Sequence, residues 1–363
     1  MDRRKFLKST GAAAATASFP WREAGASEGE WHTYDVTTKV SILKPSGASR
    51  AWIPLPMSGD TDWQRAIGNT WTGNAAKARI HSDGKYGASL LFAEWREGEA
   101  APLIEVTSRF MTRDRAVDPS RREPNAERLS ATEIAFFTGP TEMIPTDGIV
   151  RATAQEATKG ARTDVEKARA LYEWVVENTF RDPKTRGCGW GDIKAMLETK
   201  NFGGKCGDLN AMFVGLARSV GVPARDVYGI RVAPSIHGYK SLGVGAPVIS
   251  KAQHCRAEFF AQGIGWVPVD PGDVRKVILE EPPANLKLDD PKVVAARKRL
   301  FGGWEMNWLA YNMGHDIVLP GAAVKAPKLP YLMYINGETG DERLDQLEPD
   351  SFKYEIRTSG VKA

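Results

Sequence analysis

Gly203-Gly204-Lys205-Cys206-Gly207-Asp208-Leu209-Asn210-Ala211-Met212-Phe213-Val214-Gly215-Leu216-Ala217-Arg218-Ser219-Val220-Gly221-Val222-Pro223 runs from a glycine pair into an amphipathic stretch. Leu209, Met212, Phe213, Leu216, Ala217 and Val220 recur at three-and-four spacing, and Gly221 followed by Pro223 ends the pattern. This predicts a buried helix over 208–220 with Cys206 at its mouth. Unsatisfied amides and the helix dipole favour negative charge there, so the position raises a cysteine's thiolate fraction. The same amides are donors for a developing oxyanion. Gly203 and Gly204 remove side chains, letting a substrate carbonyl come close to the backbone. A free cysteine is also at home as a small buried hydrophobe, so its neighbours decide.

Ala224 to Val232 reads as a strand, followed by a glycine-rich loop from Pro234 to Gly245. His254-Cys255-Arg256-Ala257-Glu258-Phe259-Phe260 alternates as a second strand, and Trp266-Val267-Pro268-Val269-Asp270 follows the Gly263-Ile264-Gly265 turn as a third. In that hairpin the start of one strand lies beside the end of the next, which makes His254 and Asp270 cross-strand neighbours. A carboxylate there fixes the imidazole tautomer and stabilises the imidazolium. Cys206, His254 and Asp270 are therefore the predicted catalytic nucleophile, base and orienter. Trp190, in the turn-rich Cys188-Gly189-Trp190-Gly191-Asp192, and Gly204 and Gly207 beside the cysteine are candidates for the substrate and oxyanion position, although a plain packed loop also explains 188–192. Asp208 reads as a helix cap. Alternation turns Cys255 to the opposite face from His254, where it pairs with Cys188 or stays a buried thiol. A zinc site from Cys188, Cys206, His254 and Cys255 is disfavoured, because there is no C-x2-C pair and adjacent strand residues diverge; no metal ligand is expected.

Gly204-Lys205-Cys206-Gly207-Asp208, Gly221-Val222-Pro223-Ala224-Arg225, His254 with Glu258, and Gly265-Trp266-Val267-Pro268-Val269-Asp270 together resemble the transglutaminase-like (transglutaminase/protease-like) core over about residues 150–275. The resemblance implies an α+β, papain-like core in which the cysteine-bearing helix packs on an antiparallel sheet, with Cys206, His254 and Asp270 as its triad. It also implies no cofactor, and no D-x-D-x-D-G loop is present to hold the calcium that animal transglutaminases use. Members of this family include peptidases, amidases and cross-linking enzymes. The expected chemistry is cysteine-dependent acyl transfer on peptide or isopeptide amides through a thioester, with hydrolysis ahead of amine transfer. A non-enzymatic envelope scaffold is the alternative from another class, and the intact cysteine, histidine and aspartate argue against it.

Upstream, Trp31 to Val40, Ser49 to Ile53, Gly87 to Trp95 and Leu103 to Met111 alternate as strands, predicting an all-β sandwich over 27–130, similar to the module that precedes the core in some exported bacterial members. Polar, proline-bearing residues 112–145 read as a connecting segment, and the catalytic domain is placed at 131–330. Thr163-Asp164-Val165-Glu166 is a capping box opening a helix. Downstream, Phe301, Trp304, Trp308 and Tyr311 have the spacing of a buried helix face, and residues 331–363 are expected to complete a sheet.

At the amino terminus, Arg3-Arg4-Lys5-Phe6-Leu7-Lys8, an alanine-rich stretch and Ala24-Gly25-Ala26 look like a twin-arginine export signal over 1–26, placing the mature chain in the periplasm or outside the cell. Its removal takes away five cations and two anions and lowers the formal charge from +4 to +1. A near-neutral mature chain argues against a nucleic-acid partner and leaves a peptide or protein substrate as the expected one. No later segment has the ~18 consecutive apolar residues of a membrane span. Oligomeric state is not legible.

Overall fold

The computed structural model describes residues 29–122 and 126–361; the export signal read in residues 1–26 lies outside the described residues. The first strands are β1 (His32–Ser41), β2 (Ser49–Pro54), β3 (Gln64–Gly73), β4 (Lys77–Ser82), β5 (Ser89–Trp95) and β6 (Leu103–Thr112). In β6 every second residue is buried, and Ile104, Val106 and Phe110 enter the core as period-two alternation requires. The connecting segment is more structured than its polar sequence suggests. It contains β7 (Arg115–Ala116) and α1 (Ala131–Thr138), whose Ser130–Glu133 capping box satisfies two terminal amides.

Helices then dominate, with α2 (Gly148–Ala157) and α3 (Asp164–Asn178). The predicted capping box opens α3: Thr163 Oγ1 accepts from the Glu166 amide at 3.2 Å, and Glu166 accepts from the Thr163 amide at 3.0 Å. After β8 (Phe180–Arg181) and α4 (Ile193–Thr199), β9 (Gly203–Gly204) pairs parallel with β8 and delivers the chain into α5 (Cys206–Ser219). Residues 206–218 of α5 are all buried, so the helix is enclosed on every side. The strands β10 (Ala224–Arg231), β11 (Gln253–Ala261) and β12 (Gly265–Val269) lie against it, followed by α6 (Pro271–Glu280) and α7 (Pro291–Arg299).

The aromatic run departs from its helical spacing. Gly303–Trp304 is β13 and Trp308–Asn312 is β14, and β14 pairs with β10 to complete an antiparallel sheet ordered β12-β11-β10-β14. Gly302, at φ +116°, ends any helical continuation from α7. Trp304 and Trp308 instead pack on Trp63, with ring centroids 5.3 and 6.1 Å away. Aromatic packing against a distant strand outweighs the local periodicity.

The chain closes with β15 (His315–Ile317), β16 (Leu329–Tyr331), β17 (Asn336–Thr339), β18 (Glu342–Leu344), α8 (Pro349–Phe352) and β19 (Tyr354–Val361). These late strands complete sheets begun at the other end of the chain, in the orders β19-β1-β6-β3 and β18-β17-β2-β5-β4. Val36, Ile53, Leu91, Val106 and Ile356 from the two sheets share one core with Ile230 and Leu309 of the β10–β14 sheet. At about 1.5–3 kcal/mol for each fully buried aliphatic side chain, this shared layer holds the β-rich region against the α+β core. A buried Glu258 on β11 accepts from Arg225 on β10 and from Arg115 on β7, binding the connecting segment to the sheet.

Candidate active site

Cys206 is the first residue of α5, after Lys205 in extended geometry (φ −116°, ψ −165°). At that position its amide has no intrahelical acceptor. Asp208 organises the helix mouth: its carboxylate accepts from the Lys205 amide at 3.0 Å and from the Gly191 amide at 2.9 Å. The loop 187–191 is thereby held against α5. A methyl group on Gly189 (φ +90°) would fall 1.7 Å from Asp208 Oδ2, and one on Gly204 would fall 2.6 Å from Asp208 Cβ. Both glycines are present because the carboxylate occupies the space a side chain needs. Burial raises Asp208 to about 6, with the Gly191 and Lys205 amides pulling the other way.

His254 opens the buried part of β11, and Asp270 caps α6, accepting from the Asp273 amide at 2.9 Å. The strand register pairs Ala257 with Val269, so the two residues meet beyond the paired ladder. His254 Nε2 lies 2.7 Å from Asp270 Oδ2 and 3.4 Å from Asp273 Oδ2. Burial and Arg231 push the imidazole down, but Asp273 and Asp270 outweigh them and raise it to about 9. With Nε2 engaged by the aspartates, Nδ1 is the ring nitrogen available to the Cys206 sulfur. Trp308 Nε1 donates to the His254 carbonyl at 3.0 Å and fixes the backbone behind the ring.

Contrary to simple alternation, Cys255 does not leave the site. The sulfur atoms of Cys188, Cys206 and Cys255 all lie within 4.8 Å of one another, and all three are free thiols. Asn210 Nδ2 donates to the Cys255 carbonyl at 2.8 Å, drawing this part of β11 against α5. Cys188 Sγ also lies 3.4 Å from the Gln253 carbonyl oxygen. Hydrogen bonds from the Cys188 and Cys255 thiols, together with nearby His254, hold Cys206 well below the ordinary cysteine range against the opposing pull of burial. Cys188 is raised, chiefly by its bond to Cys206, and Cys255 is raised chiefly by burial. One thiolate with two S–H donors is the charge arrangement this cluster favours.

The other expected residues are placed less favourably. The Gly207 amide donates to the Cys188 carbonyl at 2.8 Å, so it is already committed. Trp190 is 61% exposed, and neither it nor Gly204 lines the cleft of about 390 Å³ that reaches Cys206, Cys188 and His254.

Three residues without a sequence signal of their own surround the histidine. Arg231 Nη2 donates to both Asp273 oxygens, at 2.5 and 2.7 Å, and holds that carboxyl well below the usual range despite burial. Asn210 Nδ2 donates to Asp270 at 3.2 Å, and Asn210 Oδ1 accepts from the Gly272 amide at 3.3 Å. The Asp270-Pro271-Gly272-Asp273 helix start was the available clue: an N-cap and its third helical residue lie on one side of the first turn.

Residues 151–271 match the family model described as the transglutaminase-like superfamily. The chain is 33% identical over 341 residues to a Haemophilus influenzae protein to which no activity is assigned, covering 89% of this chain and 90% of that one. A crystal structure provisionally described as a cysteine protease, from Cytophaga hutchinsonii, aligns over 92% of both chains at 12% identity and TM-score 0.54, a likeness of fold. The periplasmic domain of TgpA from Pseudomonas aeruginosa aligns over 72% of this chain and 98% of its own at 14% identity and TM-score 0.34.

Proposed function

The chain belongs to the transglutaminase-like superfamily, with its papain-like α+β core, and on that footing we propose that it is a cysteine-dependent hydrolase of peptide or isopeptide amides. The observation that carries this reading is the buried Cys206 at the mouth of α5, sharing a cleft with His254, whose Nε2 is held by Asp270 at the start of α6.

In the proposed reaction the Cys206 thiolate attacks the amide carbonyl carbon, and the carbonyl π electrons move to oxygen. The Cys206 amide, which has no intrahelical acceptor in the first turn of α5, donates to that oxyanion. When the tetrahedral intermediate collapses, the C–N bond breaks and the His254 imidazolium gives its proton to the departing amine. His254, now neutral, takes a proton from water as the water attacks the thioester, and the returning thiolate completes the cycle. Asp270 keeps the imidazole oriented and stabilises its cationic form, while Asp273, set by Arg231, adds a second negative neighbour. An amine replacing water in the second half would give cross-linking from the same residues. Hydrolysis is preferred because the cleft opens to solvent and water is the more abundant acceptor. Export through the Arg3-Arg4 leader would place the enzyme against extracytoplasmic peptides.

The test is to incubate the protein with a glutamine-containing peptide library, with and without a primary amine, and follow product masses. New amino termini or deamidated side chains, lost in Cys206→Ala and reduced at least ~10²-fold in Asp270→Asn, are the expected result. Products that all carry the added amine would replace hydrolysis by transfer. Products undiminished in Cys206→Ala would overturn the cysteine mechanism.

A further inference from the structure

The cleft beside Cys206 is walled by Arg181, Lys205, Arg231, Lys251 and Lys276, and no carboxylate among the described residues lines it. The acids that pair with these cations stand outside the lining and are fewer than the cations. Arg231 is committed to Asp273 by two hydrogen bonds. Arg181 donates to Glu280, and Lys276 lies 3.7 Å from the same Glu280, so a single carboxylate serves two cations. Lys251 reaches Asp350 at 3.3 Å, but their side chains are 71% and 87% exposed, and such a pair is worth little in water. Lys205 has no ion pair among the described residues. Burial, and after it the neighbouring Arg231, push the Lys276 ammonium down, against the opposing pull of Asp273 and Glu280.

We propose that Lys205 and Lys276 form a subsite for a carboxylate of the acyl-donor peptide, close to the amide that Cys206 attacks. The proposal rests on the amide-cleaving reading above and names its substrate class: acidic peptides. Lys205 is bonded directly to Cys206, Lys276 follows Asp273 by three residues on α6, and both line the same cleft as the Cys206 sulfur. A cleft with low-dielectric walls and one sign of charge concentrates ligands of the opposite sign. Lysine ammonium groups are point charges without a fixed fork, suited to a carboxylate on either an acidic side chain or a chain terminus. The Arg181 guanidinium, which lines the same cleft, shares Glu280 with Lys276 and adds to the positive field.

The experiment uses the Cys206→Ala protein, which retains the cleft without turnover, and calorimetric titration at low salt with three N-acetylated peptides. These are Ala-Ala-Gln-Glu-Ala amide, its counterpart with Gln in place of Glu, and Ala-Ala-Gln-Ala-Ala with a free terminal carboxylate. At least one carboxylate peptide should bind about tenfold more tightly than the neutral amide, and which one does identifies the source of the carboxylate. The preference should shrink as the Debye length shortens from ~30 Å at 0.01 M salt to ~10 Å at 0.1 M. It should be lost in Lys205→Met and in Lys276→Met; Lys205 is partly exposed, so its variant should keep the parent melting temperature. Equal affinities, no binding by any peptide, or a preference that survives in both lysine variants overturns the subsite. Turnover by the unsubstituted protein is read separately. Selective binding without turnover keeps the subsite and removes the hydrolase reading, while turnover without selectivity does the reverse.

Discussion

At the scale of the residue, the cysteine cluster is an exercise in placing one negative charge. Three thiols share a site too small for three thiolates, and Cys206 is the one adjacent to both the helix terminus and an imidazole. Iodoacetamide should therefore modify Cys206 below about pH 6.5, well under the ~8.5 of a free cysteine, while Cys188 and Cys255 react far more slowly; peptide mass spectrometry reads this directly. In His254→Ala the Cys206 rate should fall. Equal labelling of all three would sink the charge assignment. The same pair makes a prediction about stability. His254 is raised from 6.5 to about 9, so its contribution is complete below pH 6.5 and fades as pH rises toward 9. Cys206 is lowered from 9.0, so its contribution is present above that value and is lost as pH falls through its depressed folded value. Between pH 6.5 and 9 the two trends oppose, because the thiol's proton has moved to the ring. Cys206→Ala should expose the histidine trend alone, with a melting temperature that falls over this window more steeply than in the parent protein.

At the scale of the element, α5 depends on the loop before it. Asp208 bridges the Lys205 and Gly191 amides, and Tyr331 donates to the Gly189 carbonyl from the far side, so the segment 187–191 is clamped between α5 and β16. Gly189→Ala combines an αL-region backbone, costing about 1–3 kcal/mol, with a methyl inside the Asp208 carboxylate. The expected outcome is a lower melting temperature and slower Cys206 alkylation together. Unchanged alkylation would show that the clamp does not position the Cys206 thiol. Sequence periodicity worked well for α5 and for the Thr163 cap because both depend on contacts within a few residues. It failed for β13 and β14, where Trp304 and Trp308 have helical spacing but pack against Trp63 more than two hundred residues away.

At the scale of the whole molecule, chain ends and middle are interlocked. β19 pairs with β1, β17 pairs with β2, and Arg186 beside the loop 187–191 donates to Asp345 and Glu348 of the closing segment. Glu258 is the buried centre of the Arg115 and Arg225 contacts that join β7, β10 and β11. Breaking a buried pair leaves uncompensated charge, so Glu258→Gln should cost roughly 3–5 kcal/mol in chemical denaturation. A truncation after residue 330 should lose both the cooperative transition and the low-pH reactivity of Cys206. A truncated protein that keeps both would show that the late strands are dispensable to the site.

The sequence by itself determined the cysteine-bearing helix, its glycine-rich approach, and the candidate histidine and aspartate, while the α+β class came from the family resemblance those residues carry. The former follow from short-range periodicity, capping chemistry or the acid–base character of a side chain, all of which are local. Only the tertiary structure decided that Cys188 and Cys255 flank Cys206, that Arg231 and Asp273 stand behind His254, and that the last strands complete the first sheets. Those outcomes arise from register, twist and packing between segments far apart in the chain, where many pairings share the same local pattern and only the buried, fully hydrogen-bonded arrangement is stable.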